Sequence, residues 1–171
     1  LYGHTAIRIC DTTRHADIVV NYGMFSFRQN FFVARFILGL TDYMIGITSF
    51  SNFVDEYTYE GRWVYEQVLN LRQEEKKAII AAIDENSKPE NATYRYNCFY
   101  NNCTTRARDI LTENISGKVG YAPETWDAPS FRDMCHSKTA DHRWSSFGND
   151  LVLAVKADLK TDRSEQQFLP E

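Results

Sequence analysis

The chain has no C-x-x-C pair, no long apolar run and no block of lysine and arginine, and each absence removes a class of function. Without C-x-x-C there is neither a thioredoxin-type redox motif nor a zinc ribbon. A bilayer-spanning helix needs roughly 18 or more consecutive apolar residues, whereas the nearest candidate, Phe31 to Leu40, is short and interrupted by Arg35. The net charge of −4 comes with dispersed basic residues, so nothing here neutralises a phosphate backbone and no nucleic-acid partner is expected. Four cysteines in 171 residues, Cys10, Cys98, Cys103 and Cys135, are too sparse for a disulfide scaffold, and their spacing leaves the redox compartment open. Cys135, His136 and His142 form a loose group that can be stretched into a metal site, but their spacing matches no zinc motif; no metal and no cofactor are expected. Internal repeats and low-complexity stretches are also lacking. No charged-then-apolar leader is seen and Leu1 opens directly into strand-like sequence, which we read as the trimmed start of a longer exported protein.

What is present is enough apolar material for one sizeable core: 43% of residues are hydrophobic and 14% aromatic. Intrinsic disorder is excluded on that composition, and one domain over residues 1–171 is the expectation. Residues 4–10 and 17–24 are β-branched-rich runs joined by the polar stretch Asp11 to Ala16 and read as an antiparallel hairpin. Folding that connection about its middle sets His4 opposite Asn21 to Gly23. Asn30 to Leu40 reads as a helix, Tyr43 to Thr48 as a short apolar run, Ser51 to Tyr59 as a short helix and Arg62 to Leu71 as an alternating strand. Asn70-Leu-Arg-Gln73 resembles a capping box opening a helix to about Asn86, with Ile79, Ala82 and Ile83 as its buried stripe and Pro89 beyond its stop. Tyr94 to Tyr100 is strand-like or extended and leads into a helix starting near Cys103. Gly117 to Ser130 reads as a loop, Phe131 to His136 as the start of a short helix, Leu151 to Ala157 as strand or helix, and Thr161 to Glu171 as a polar, poorly packed tail.

The chemistry concentrates on Cys103. Thiol catalysis needs a thiolate, and a helix N-terminus stabilises one through unpaired N–H groups and its dipole. Cys103, Ala107, Ile110 and Leu111 follow i, i+4, i+7, i+8, which sets the cysteine on the helix's apolar stripe, facing the sheet. Its bland alternative is an inert small hydrophobe, but Asn101 and Asn102 before it and Thr104 and Thr105 after it suit a helix start beside a cleft better than a core. His4, between Gly3 and Thr5, is placed to act as general base and then acid; its alternative is a satisfied structural histidine. Asn21 is the candidate for orienting the imidazole, with Asp17, Asp42 and Asn149 as competitors. Arg106, Arg108 and Asp109 read as a surface ion-pair set, an arginine near the thiol being the alternative anion site. Trp126, Trp144 and the tyrosines read as core, and His15, His136 and His142 as solvated.

Taken together, Tyr2-Gly-His-Thr-Ala-Ile-Arg-Ile, Val20-Asn-Tyr-Gly-Met-Phe-Ser-Phe, Leu40-Thr-Asp-Tyr, Pro89-Glu-Asn-Ala-Thr-Tyr-Arg-Tyr-Asn, Asn101-Asn-Cys-Thr-Thr-Arg-Ala-Arg-Asp and Phe147-Gly-Asn-Asp-Leu resemble the Lnb N-terminal periplasmic family of bacteria, over almost the whole chain. Histidine first and cysteine helix later is similar to the circularly permuted NlpC-type cysteine hydrolases and acyltransferases. The resemblance implies a papain-like α+β fold, an antiparallel sheet packed against the helix that carries the cysteine. It also implies a periplasmic or cell-envelope location and action on an amide, ester or thioester. Cys103 then matches the nucleophile, His4 the base and Asn21 the polar third position; Cys98 is given no role. The substrates in view are a cell-wall peptide or a lipid acyl group, an apolar groove favouring the lipid. The alternative of a different class is a non-catalytic envelope module that binds glycan, lipid or protein on the same fold.

Overall fold

The computed structural model describes residues 2–25, 30–38, 40–123, 127–153 and 155–170. Its hairpin forms where β-branched residues alternate. Strand β1 (Ala6–Asp11) pairs antiparallel with β2 (Ala16–Met24), Ala6 standing opposite Asn21. The Asp11 carboxylate closes the turn by accepting from the Thr13 and Arg14 N–H groups at 2.9 and 3.2 Å, the local competition with the ladder that makes Asp a turn former. Strand β3 (Asp42–Ser49) pairs antiparallel with β2, and the short β4 (Thr93–Arg95) with β3, giving the sheet order β1-β2-β3-β4. Between Asn21 and Met24 strand β2 carries one residue more than β3, and such a bulge bends a strand and re-aims its side chains. Gly46 is required beside it, since a Cβ there would lie 2.6 Å from Cγ of Met24.

Six helices are described: α1 (Phe32–Ile37), α2 (Phe50–Tyr59), α3 (Gln73–Asn86), α4 (Cys103–Glu113), α5 (Phe131–Thr139) and α6 (Arg143–Val152). The architecture is α+β. Helices α3 and α4 meet the sheet through Ile79, Ile83 and Ile110 against Val20, Tyr22, Tyr43, Ile45 and Tyr94. The stripes expected for these two helices are both present: Ala82 packs at the edge of this core, Ala107 is buried, and Cys103 and Leu111 flank it. On α2, Phe53 and Tyr57, one turn apart, cover Val19. A separate cluster joins Phe131 and Cys135 of α5 to Ala157 and Phe168, with Phe99 stacked on Phe131 at 4.3 Å between ring centres.

Several expectations need correction. Residues 62–71 form no strand, and Trp63 at 84%, Tyr65 at 91% and Val68 at 87% are exposed. Alternation is present, but no neighbouring strand takes their backbone groups; the tie to β1 is a side-chain ion pair, Arg8 to Glu66 at 3.0 Å. The cap of helix α3 is Arg72, two residues past the expected Asn70, because the Glu75 carboxylate reaches back to the Arg72 N–H at 2.8 Å and supplies the acceptor itself. The helix expected over 30–40 is α1, a shorter one; Gly39 lies outside the described residues. Leu151 to Ala157 straddles the end of α6 and the 3₁₀ turn Val155–Asp158. The tail is packed: Phe168, in the 3₁₀ turn Glu165–Phe168, is 1% exposed, and the Thr161 hydroxyl donates to the Pro129 carbonyl at 2.6 Å. Trp144 is surface, not core, and the tyrosines divide: Tyr22, Tyr43, Tyr57 and Tyr94 are buried, whereas Tyr2, Tyr59, Tyr65, Tyr100 and Tyr121 are exposed. Trp126 lies outside the described residues.

Candidate active site

Cys103 is the first residue of α4, and the helix starts there because Asn102 caps it. The Asn102 side-chain oxygen accepts from the Thr104 and Thr105 N–H groups at 2.8 and 2.9 Å, and the Thr105 hydroxyl accepts from the Asn102 N–H at 2.8 Å. The Asn102 amide nitrogen donates to the Cys98 carbonyl at 2.6 Å and to the Phe168 carbonyl at 2.9 Å. A buried amide with its donors and acceptor all engaged holds one geometry. The Thr104 and Thr105 N–H groups are taken by Asn102, which leaves the N–H of Cys103 itself as the helix-start donor beside the sulfur.

The hairpin brings the histidine. His4 Nε2 lies 2.6 Å from the Asn21 side-chain oxygen. That oxygen has no proton, so the ring donates through Nε2 and Nδ1 is left as the nitrogen available to the thiol. All three sequence-derived residues therefore meet in one place, with Cys103 about a hundred positions along the chain from His4. Gly23 shows how closely: a Cβ on it would stand 2.9 Å from His4 Cε1, 3.5 Å from His4 Nδ1 and 3.7 Å from Cys103 Cβ. The Thr5 and Thr104 hydroxyls, 3.0 Å apart, tie the approach to β1 to the first turn of α4.

Electrostatics agree with the geometry. Burial on its own pushes the Cys103 thiol up, but the hydrogen bond and charge of His4, with the Thr5 N–H and the Thr104 hydroxyl, outweigh it and hold the thiol below its ordinary value. Burial likewise pushes His4 down, and the hydrogen bond and charge of Cys103, helped by Asn21, hold the imidazole above its ordinary value. The two shifts have one cause, a thiolate and an imidazolium stabilising each other.

The competing residues are engaged elsewhere. Asp17 pairs with Arg8 at 2.6 Å, Asp42 with Arg95 at 2.8 Å and Arg35 at 3.1 Å, and Asn149 donates to the Tyr2 hydroxyl at 2.6 Å. Arg106 donates to Asn101 at 2.8 Å and covers the Tyr94 ring; Arg108 pairs with Asp109 at 2.6 Å and donates to the Ser164 carbonyl at 2.7 Å. Both arginines thus have structural partners. Cys135 is buried among aromatic rings, and His136 bonds Asp150 at 2.8 Å; among the described residues no three potential ligands converge to hold a metal.

Beside the sulfur lies a pocket of about 120 Å³. Tyr2, Tyr96, Leu153, Phe168, Leu169 and Pro170 give it an apolar wall, and Cys98 and Cys135 also line it. Sequence reasoning passed over Gly23, Thr5, Tyr2 and the tail. Only Gly23 had a signal, since the hairpin register already sets it across from His4.

A model of the Lnb N-terminal periplasmic domain family matches residues 1–132, and the chain belongs to that family. The description places the family in the periplasm, and among the described residues no helix is long and apolar enough to cross a membrane. No curated protein and no solved structure matches the chain.

Proposed function

We propose that this family member is a thiol hydrolase or acyltransferase of the cell envelope, acting on an amide, ester or thioester through Cys103 and His4. The observation that carries the reading is the meeting of the Cys103 helix start with an imidazole already held by Asn21 at 2.6 Å. In this reading the Cys103 sulfur attacks the carbonyl carbon and its N–H faces the developing oxyanion. His4 holds the thiol proton and passes it to the leaving amine, alcohol or thiol. Water or a second acceptor then attacks the acyl-enzyme, with His4 taking the proton from it, and the thiolate is regenerated. Asn21 keeps Nε2 engaged so that Nδ1 does the transfer, a positioning role. The order of histidine and cysteine along the chain supports a permuted NlpC-type, papain-like arrangement, with residues 1–171 as one domain. The apolar wall of the pocket favours an acyl chain over a cell-wall peptide as the group beside the sulfur.

The test is alkylation followed across pH. Iodoacetamide should modify Cys103 in preference to Cys10, Cys98 and Cys135, at a rate that persists well below the ordinary thiol value of about 8.5. His4→Ala should move the profile upward. Acyl and peptide chloromethyl ketones should then leave a mass adduct on Cys103 that Cys103→Ser lacks. An ordinary thiol profile, unchanged by His4→Ala, would overturn the enzymatic reading and return the fold to a binding module.

A further inference from the structure

Three of the four cysteines, Cys98, Cys103 and Cys135, line the pocket beside the nucleophile, all as free thiols. The turn before α4 fixes two of them near each other. Asn97 and Asn101 exchange backbone hydrogen bonds of 3.0 Å each, and the Asn97 side chain accepts from the Phe99 and Tyr100 N–H groups at 3.0 and 3.1 Å. The Asn102 amide then holds the Cys98 carbonyl at 2.6 Å. Cys98 is thereby held one hydrogen bond from the residue that precedes Cys103. Cys135 is placed differently: it belongs to α5 and is 2% exposed. Cys98 is open to solvent at the pocket rim.

We propose that Cys98 is the resolving partner of Cys103, and that the two form a reversible intrachain disulfide which blocks the nucleophile under oxidising conditions. The proposal rests on the reading of Cys103 as the reactive thiol. The periplasm assigned to the family is a compartment where disulfides persist. With glutathione disulfide as oxidant, the Cys103 thiolate attacks one glutathione sulfur, forming a mixed disulfide and releasing one glutathione thiolate. The Cys98 sulfur then attacks the Cys103 sulfur, the S–S bond to glutathione breaks, and the second glutathione leaves. Two protein thiols are oxidised, one glutathione disulfide is reduced to two thiols, and the two protein protons end on them.

The two sulfurs are unequal in a way that makes the bond reversible. Although part of its surface is exposed, the crowded surroundings of Cys98 and then the neighbouring Cys135 sulfur push its thiol up, whereas Cys103 is held down. Cys103 is therefore the thiolate that reacts first with an external disulfide. On reduction, a small thiol reaching the exposed Cys98 sulfur expels Cys103, the better leaving group.

Both cysteines fall in the tryptic peptide 96–106, bounded by Arg95 and Arg106, which makes the test direct. The chain is incubated with glutathione disulfide, quenched with iodoacetamide and digested without reductant. The expected product is peptide 96–106 lighter by two hydrogens and unalkylated, which dithiothreitol returns to the dithiol and a second iodoacetamide treatment then alkylates at both Cys98 and Cys103. In Cys98→Ser the reaction should stop at a glutathione adduct on Cys103. A wild-type chain that also stops at that adduct, or that joins Cys98 to Cys135, overturns the pairing and leaves the reactive-thiol reading intact. Absence of any modification at Cys103 overturns both.

Discussion

Gly23 does its work by what it omits. The His4 ring occupies the space where any other residue would carry a Cβ, so Gly23→Ala must shift either the ring or strand β2. A displacement of about 1 Å at a reacting group costs on the order of 10²-fold in rate. The expected result is a Cys103 alkylation rate at pH 7 reduced tenfold or more, with the fold retained by circular dichroism; an unchanged rate would show that the ring has room to spare. The same residues mark how much of the site was legible beforehand. His4, Asn21 and Cys103 could be chosen because turn length and β-branched alternation set the hairpin register, and a polar flank plus an apolar stripe located the helix start. The register set Gly23 across from His4, but its steric role depends on where the imidazole stands. The engagement of the Thr104 and Thr105 N–H groups was not legible either, since it depends on the Asn102 side chain.

At the level of elements, helix α3 shows how one side chain can replace an expected cap. Glu75 accepts from the Arg72 N–H at 2.8 Å and the Ser116 N–H at 2.9 Å, and from the Arg72 guanidinium at 3.1 Å. The backbone N–H of Ser116, then that of Arg72, and then the Arg72 guanidinium draw its carboxyl down to about 2. A carboxylate depressed in the folded state stabilises the fold at pH values above its ordinary one, and that stabilisation fades as pH falls through the folded value. Thermal midpoints measured from pH 6 down to pH 2 should therefore fall in the wild type as the pH drops below about 4.5. Glu75→Gln should start lower at pH 6 and lose less over the same interval; parallel curves would rule the coupling out. The capping motif was readable as a motif, but placing it two residues early followed from treating Asn70 as the acceptor. The strand expected over 62–71 failed for a different reason. Its alternation is a property of one strand, and a ladder is a property of two, so no local pattern reveals the missing neighbour.

Across the molecule, the last residues hold the first ones in place. Pro170 packs on Gly3, where a Cβ would lie 2.7 Å from its Cγ, and Phe168 joins Phe131 and Phe99 in a ring cluster. Phe168→Ala should cost about 3–5 kcal/mol, the usual range for removing a buried phenylalanine ring, read as a lower denaturant midpoint. A loss below about 1 kcal/mol would mean that the tail is not integral. The polar composition of 161–171 concealed this, since one buried ring among charged neighbours has no period to betray it.

The double donation by the Asn102 amide has a practical corollary. One of its two acceptors is the Phe168 carbonyl, and six of the thirteen pocket-lining residues lie beyond position 132. A fragment cut at the family boundary would keep the cysteine, histidine and asparagine yet leave an amide proton beside the sulfur without its acceptor and the cleft without half its rim. Inactivity of such a fragment would therefore report a dismantled cleft and not an inert triad.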